Sequence, residues 1–137
     1  MNKIAVIGLG YVGLPLAIEF AKSRSVVGFD TSGARIDELL RGSDSTLEVT
    51  PQQLAHSTPN LKLSKDSSVL KVCNIFIVTV PTPVDEVNRP DLTLLREATL
   101  TVARAIKSGA LVIFESTVYP GCTEEVCVPI LERNSGL

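Results

Sequence analysis

A chain of 137 residues, 45% hydrophobic and 20% charged, is long enough for one domain with a real core; folding at this size takes roughly two thirds of the unfolded surface out of water. A formal charge of −2 gives no footprint for nucleic acid or an anionic membrane surface, and no apolar run approaches the ~20 residues of a membrane-spanning helix. Cys73, Cys122 and Cys127 stand at no zinc-like spacing, so they read as reduced thiols of a cytoplasmic protein with no metal site.

In chain order, "KIAVI" (3–7) is the first strand, so close to Met1 that no signal peptide fits before it. "GLGYVG" follows, with Gly8, Gly10 and Gly13 in G-x-G-x-x-G spacing. The pattern alone is weak. Here a strand precedes it, and a helix striped by Leu14, Ala17, Ile18 and Ala21 follows. Each glycine then has a task at a dinucleotide: Gly8 makes the tight turn, Gly10 lets a diphosphate touch the backbone, and Gly13 lets the helix lie close to the strand. Tyr11 and Val12 are expected to open that helix, whose free N–H groups and positive dipole end face phosphates. Pro15 falls in the first turn, where a missing N–H costs little. A glycine-rich turn without a ligand is the alternative.

"VVGF" (26–29) is the second strand and ends at Asp30, about 20 residues past the glycine turn, where a carboxylate accepts hydrogen bonds from an adenosine ribose. A 2′-phosphate there meets like charge, which favours NAD over NADP. Asp30 could instead cap the next helix together with Thr31 and Ser32. Arg35, one helical turn on, is either a contact to adenine or phosphate or a solvated helix position. Thr50, Pro51 and Gln53 form the N-cap, first-turn proline and reciprocal capping partner of a short helix. His56 sits in a polar connection and is expected to be exposed. "LKL" (61–63) is a weaker strand candidate.

"NIFIVT" (74–79) runs into "VPTPVD", where Pro81 and Pro83 hold the loop extended. Ligands of doubly wound sheets lie beyond the carboxyl ends of the strands. Val80, Pro81 and Thr82 are therefore expected to border the dinucleotide; an ordinary stiff turn is the alternative. Asp91 is placed to cap the next helix, striped by Leu95, Ala98, Val102 and Ile106. "ALVIF" (110–114), like the earlier strands, reads as buried on both faces. Then comes "ESTVYPGCTEE" (115–125). Thr117 is expected to project toward the nicotinamide or a bound water, the alternative being a hydroxyl that satisfies nearby backbone; Glu115 belongs to the rim. Cys122 opens the next helix, a place that can lower a thiol pKa. No histidine or lysine adjoins it in sequence, so it reads as doing no chemistry. Cys73 and Cys127 read as core thiols. The last helix is expected to kink at Pro129, which lacks the donor for the carbonyl of residue 125. The whole pattern predicts an α/β fold: a Rossmann-type doubly wound parallel sheet with right-handed crossovers, truncated before its last strand.

Taken together, "KIAVIGLGYVGLPLA", "FD" at 29–30, "VTVPTPVD" and "ESTVYPGCTEE" resemble the UDP-glucose/GDP-mannose dehydrogenase family along the whole chain. The "ESTVYPG" form, with Glu115 and Tyr119, looks most like the branch that oxidises UDP-N-acetylhexosamines for surface polysaccharides, including the Vi-antigen type. The resemblance implies oxidation of the sugar C6 alcohol to a carboxylate in two steps with two NAD molecules, through a thiohemiacetal and a thioester on a cysteine. By position, Val12, Asp30, Arg35, Thr82 and Thr117 match the family's NAD contacts, and Thr117 also matches a threonine that helps hold an active-site water.

The family's catalytic cysteine lies in a later "GGxCxPKD"-like motif and its lysine lies between that motif and this domain, so neither is in residues 1–137. The expectation is an N-terminal NAD-binding domain, without the substrate and dimerisation domains, that shows no turnover by itself and self-associates through its open sheet edge. The parent would be a homodimer using a UDP-sugar. A stand-alone NAD(H)-binding regulatory module is the competing reading. A β-hydroxyacid or 6-phosphogluconate-type dehydrogenase shares the glycine turn but not "VPTPVD" or "STVYPG".

Overall fold

The structure, a computed structural model, describes residues 2–137. Five short strands form one sheet: β1 (Ile4–Ile7), β2 (Val26–Phe29), β3 (Leu61–Ser64), β4 (Ile75–Val78) and β5 (Leu111–Phe114). Their order is β3-β2-β1-β4-β5 and every pairing is parallel. Parallel neighbours need crossovers: α1 (Gly13–Ala21) links β1 to β2, α2 (Gly33–Leu40) and α3 (Pro51–Ser57) link β2 to β3, a short 3-10 turn (Ser67–Val72) lies between β3 and β4, and α4 (Thr93–Ala105) links β4 to β5, after which comes α5 (Val128–Ser135). This is the doubly wound α/β architecture expected from the alternating pattern.

Strand residues alternate between two cores. Ile4, Val6, Val26 and Ile77 pack with Leu14, Ala17, Ile18, Ile36 and Leu54 on the α1–α3 side. Ala5, Ile7, Val27, Phe76 and Val78 pack with Leu95, Ala98 and Val102 on the α4 side. The α1 stripe is buried as expected; in the α4 stripe Ile106 falls just past the helix end, as its C-cap, and is only half-buried. Thr50 and Gln53 make the reciprocal cap of α3, with bonds of 3.1 and 2.7 Å. Asp91 Oδ1 accepts the Thr93 N–H at 2.9 Å and so supports the start of α4; bonds from Thr93 hold its carboxyl below the usual range.

Four details differ from expectation. β5 is not buried on both faces: it is the sheet edge, with Leu111 exposed and Val112, Ile113 and Phe114 half-buried. The irregularity of the last helix lies in the turn before Pro129. A wide π turn, Thr123–Cys127, precedes α5, and the Val128 N–H reaches back to the Thr123 carbonyl. Pro129 then falls in the first turn of α5, where its missing N–H costs little. α1 begins at Gly13, with Val12 as its N-cap and Tyr11 in the turn before it, because the chain is still turning there. His56 is exposed, but it lies in the last turn of α3 rather than in a connection.

Candidate cofactor cleft

The strand order reverses between β1 and β4, and there the carboxyl ends open a crevice. Gly8 leaves β1 with φ +100°, a conformation that favours glycine. Gly13 is pressed against the same turn: a Cβ there would lie 1.7 Å from the Gly8 carbonyl oxygen and 2.5 Å from Thr79 Oγ1. Thr79 is buried, and its hydroxyl donates to the Gly8 carbonyl at 2.7 Å. Gly10 is the opposite case, since a Cβ there would meet nothing within 4 Å. One glycine is needed for packing, then, while the other keeps the approach to the first amides of α1 bare. The Leu14 N–H is already spent on the Gly10 carbonyl at 3.2 Å and Pro15 has no N–H, so the open amides are those of Val12 and Gly13.

Facing the turn are the loops after β4 and β5. Val80, Pro81 and Thr82, with Glu115, Ser116 and Thr117, line a cleft of about 220 Å³ together with Gly10, Tyr11, Val12 and Thr79. Two hydroxyls tie these loops into one wall. Ser116 Oγ donates to the Val80 carbonyl at 2.7 Å, and the Thr82 hydroxyl donates to the carbonyl of Thr117. Thr117 keeps its own side chain at the exposed rim.

A second, mostly apolar pocket adjoins the first at Val80. Ile7, Gly8, Phe29, Asp30 and Thr31 form one side, and Leu94, Glu97, Ala98 and Thr101 of α4 form the other. The α4 residues were not expected. Their i, i+3, i+4, i+7 spacing was present in the sequence, but it overlaps the core stripe of the same helix, and only the topology shows which pocket it faces.

Asp30 lines this second pocket at the end of β2. Its Oδ2 accepts the Leu9 N–H at 3.0 Å and its Oδ1 accepts the Ser32 N–H at 2.9 Å. Ser32, not Asp30, caps α2, accepting from the Arg35 N–H at 3.2 Å. Each carboxylate oxygen keeps a further lone pair for a ligand donor.

Arg35 is neither a solvated helix residue nor a lining of the cleft. Its side chain is only 12% exposed. Nε donates to the Leu9 carbonyl at 2.8 Å, and Nη1 donates to Glu38 at 2.5 Å and Asp44 at 2.9 Å. Nη2 is buried with no partner among the described residues, a state that costs about 1–3 kcal/mol. Leu9 is thus gripped at both ends of its residue, N–H by Asp30 and carbonyl by Arg35. Behind Arg35, the Asp44 side chain is fully buried and also accepts from Thr46, Glu48 and Val49. Burial pushes its pKa up, but the Thr46 hydroxyl, Arg35 and the backbone amides outweigh this and bring it down to about 2.

The cysteines take no part in the cleft. All three are buried and free. Burial pushes the Cys73 and Cys127 thiols up. Among the described residues no cluster of His, Cys, Asp or Glu is placed to hold a metal, and no helix is long and apolar enough to cross a membrane.

A bare glycine turn, open helix amides, a carboxylate at the end of β2 and a lined cleft on either side fit a dinucleotide. Comparison with known proteins agrees. A sequence profile for the UDP-glucose/GDP-mannose dehydrogenase family, NAD binding domain, matches residues 2–137. The UDP-N-acetyl-D-glucosamine 6-dehydrogenase of Pseudomonas aeruginosa is 56% identical over 135 residues, 98% of this chain and 32% of that protein. The enzyme of the same name from Salmonella typhi is 55% identical over 135 residues, again 98% of this chain and 32% of that protein. Among solved structures, the UDP-D-ManNAc dehydrogenase of Pyrococcus horikoshii superposes with a TM-score of 0.92 at 40% identity, over 98% of this chain and 33% of that one. The chain spans about a third of the length of the relatives it matches. On profile, relatives, fold and cleft together, it belongs to the UDP-glucose/GDP-mannose dehydrogenase family, as an NAD-binding domain.

Proposed function

We propose that this chain is the cofactor half of a nucleotide-sugar 6-dehydrogenase that oxidises the C6 alcohol of a UDP-N-acetylhexosamine to a uronate for surface polysaccharide synthesis. The observation that carries the reading is the cleft between the Gly10–Val12 turn and the Val80–Thr82 and Glu115–Thr117 loops, with Asp30 at the end of β2 beside it. The names of the relatives at 56% and 40% identity support the substrate class, and they disfavour a regulatory module without catalysis.

NAD, when bound, supplies the hydride acceptor. The chain's own residues bind and orient it. Gly8, Gly10, Tyr11, Val12 and Gly13 present bare backbone and helix amides to the diphosphate. Asp30 takes the adenosine ribose hydroxyls, and the pocket between Phe29 and α4 takes the base. Arg35 serves the site by holding the Leu9 carbonyl. Val80, Pro81 and Thr82 wall the nicotinamide side and keep water from it. Thr117, at the rim, orients a water or the ring. The cysteine and lysine of the chemical steps belong to the rest of the parent enzyme, which we place in the cytoplasm as a homodimer. The half-buried edge of β5 and the apolar groove of Leu16, Phe20, Ile77 and Ile113 support self-association of this domain.

Calorimetric titration with NAD and NADP, on wild type and Asp30→Ala, tests the reading. NAD is expected to bind and Asp30→Ala to weaken it; a preference for NADP overturns the role of Asp30. The isolated chain should produce no NADH from UDP-N-acetylglucosamine. Turnover would show that the chemistry does not need the missing residues.

A further inference from the structure

The Arg35–Asp44 pair bears on which cofactor is refused, given the reading that Asp30 holds the adenosine ribose. In NADP-dependent sites of this fold an arginine near the end of the second strand accepts the 2′-phosphate. Arg35 stands at that place in the chain, one helical turn beyond Asp30, yet it is disarmed. Its Nε is spent on the Leu9 carbonyl at 2.8 Å and its Nη1 is shared by Glu38 and Asp44. Its Nη2 is sealed from solvent without a partner among the described residues. A buried unpaired donor is unfavourable, so the guanidinium stays there only because its other bonds hold it.

The strongest of those holds is Asp44. Its side chain is fully buried. It accepts from the Thr46 amide and hydroxyl through Oδ1 and from the Glu48 and Val49 amides through Oδ2, at 2.7–3.1 Å. Asp44 therefore cannot swing off Arg35 without unravelling the loop that carries it. Glu38 is more exposed, at 21%, and accepts the Ser45 N–H as well. Two carboxylates, Glu38 and Asp44, thus hold one guanidinium, and a phosphate arriving beside the third, Asp30, meets a net negative field.

We propose that Asp44, which lines neither pocket, is a specificity-determining residue: by neutralising Arg35 and holding it turned inward, it denies a 2′-phosphate its cation and makes the site selective for NAD. Removing the Asp44 charge releases Arg35 toward the ribose side and relaxes that selectivity.

Titration of the chain with NAD and NADP, on wild type, Asp44→Asn, Arg35→Gln and the double variant, reads this out. In Asp44→Asn the ratio of NADP to NAD affinity is expected to rise about tenfold. In the Arg35→Gln background the same substitution is expected to leave the ratio unchanged, because Asp44 acts through Arg35. A purely structural Asp44 would weaken both ligands alike; an unchanged ratio in Asp44→Asn, with NAD still bound, overturns the inference and leaves the NAD site standing. A rise that persists without Arg35 also overturns it. If circular dichroism shows Asp44→Asn unfolded, Asp44→Ser takes its place: it also removes the charge but keeps an oxygen for the loop amides, and the ratio should again rise about tenfold; no rise there is again a refutation. Wild type that binds no NAD removes the cofactor reading itself, and the inference with it.

Discussion

Gly13 packs over Gly8 so closely that one added carbon at Gly13 would stand 1.7 Å from the Gly8 carbonyl oxygen. The obstacle is backbone, so no rotamer change relieves it. Gly13→Ala must push α1 off β1, at a cost of about 3 kcal/mol or more. Thermal unfolding is expected to fall by about 10 °C. A variant that melts with the wild type would mean that the turn has slack the packing does not show. At Gly10, where a Cβ meets nothing within 4 Å, alanine should leave stability nearly unchanged while weakening NAD binding.

The cap of α3 offers a smaller, cleaner measurement. Thr50→Ala removes the acceptor for the Gln53 N–H and is expected to cost about 1 kcal/mol, or about 4 °C in melting temperature. Thr50→Ser keeps the oxygen and should lose little. Equal losses in both would assign the effect to the threonine methyl rather than to the cap.

Asp44 gives stability a dependence on acid. Its folded pKa of about 2 lies below the ordinary 3.8, so between these values the unfolded chain binds more protons than the folded one. The contribution is fully present above about pH 4 and is lost as pH falls through about 2. Its size is on the order of 2 kcal/mol. Urea unfolding followed from pH 5 to pH 2 should show this loss in the wild type and less of it in Asp44→Asn.

Thiol chemistry separates the core from the cleft. Cys73, Cys122 and Cys127 are buried, and thiolate character decides reactivity. A chromogenic disulfide reagent should label none of them quickly in the folded chain and all of them after denaturation. Fast native labelling of Cys122 would reopen its exclusion from chemistry.

Four of the strands were legible because each is a short apolar run, "VVGF" ending at the turn residue Asp30, whereas "LKL" of β3, broken by Lys62, gave a weaker signal. The glycine turn was legible because a strand and a striped helix flank it. The limits have physical causes. An apolar run looks the same in a central strand as at an edge, so the half-exposure of β5 was hidden. The grip of Arg35 on Leu9 depends on residues 9, 35 and 44 meeting in space, and "GSDSTLEV" reads only as a polar loop. Asp44 appears as a buried anchor only when the loop is seen folded over its carboxylate. The face of α4 toward the apolar pocket was masked by the stronger core stripe beside it.

β1 lies at the centre of the sheet, paired on one side with β2 and on the other with β4, whose residues are 71 positions later in the chain. β1 is made before β4 and must therefore wait, half-matched, until the residues between them have been synthesised. Such distant pairing slows folding and leaves an adhesive strand in the open meanwhile. Nascent chains stalled before Val78 should occupy chaperones, and release should follow the appearance of β4.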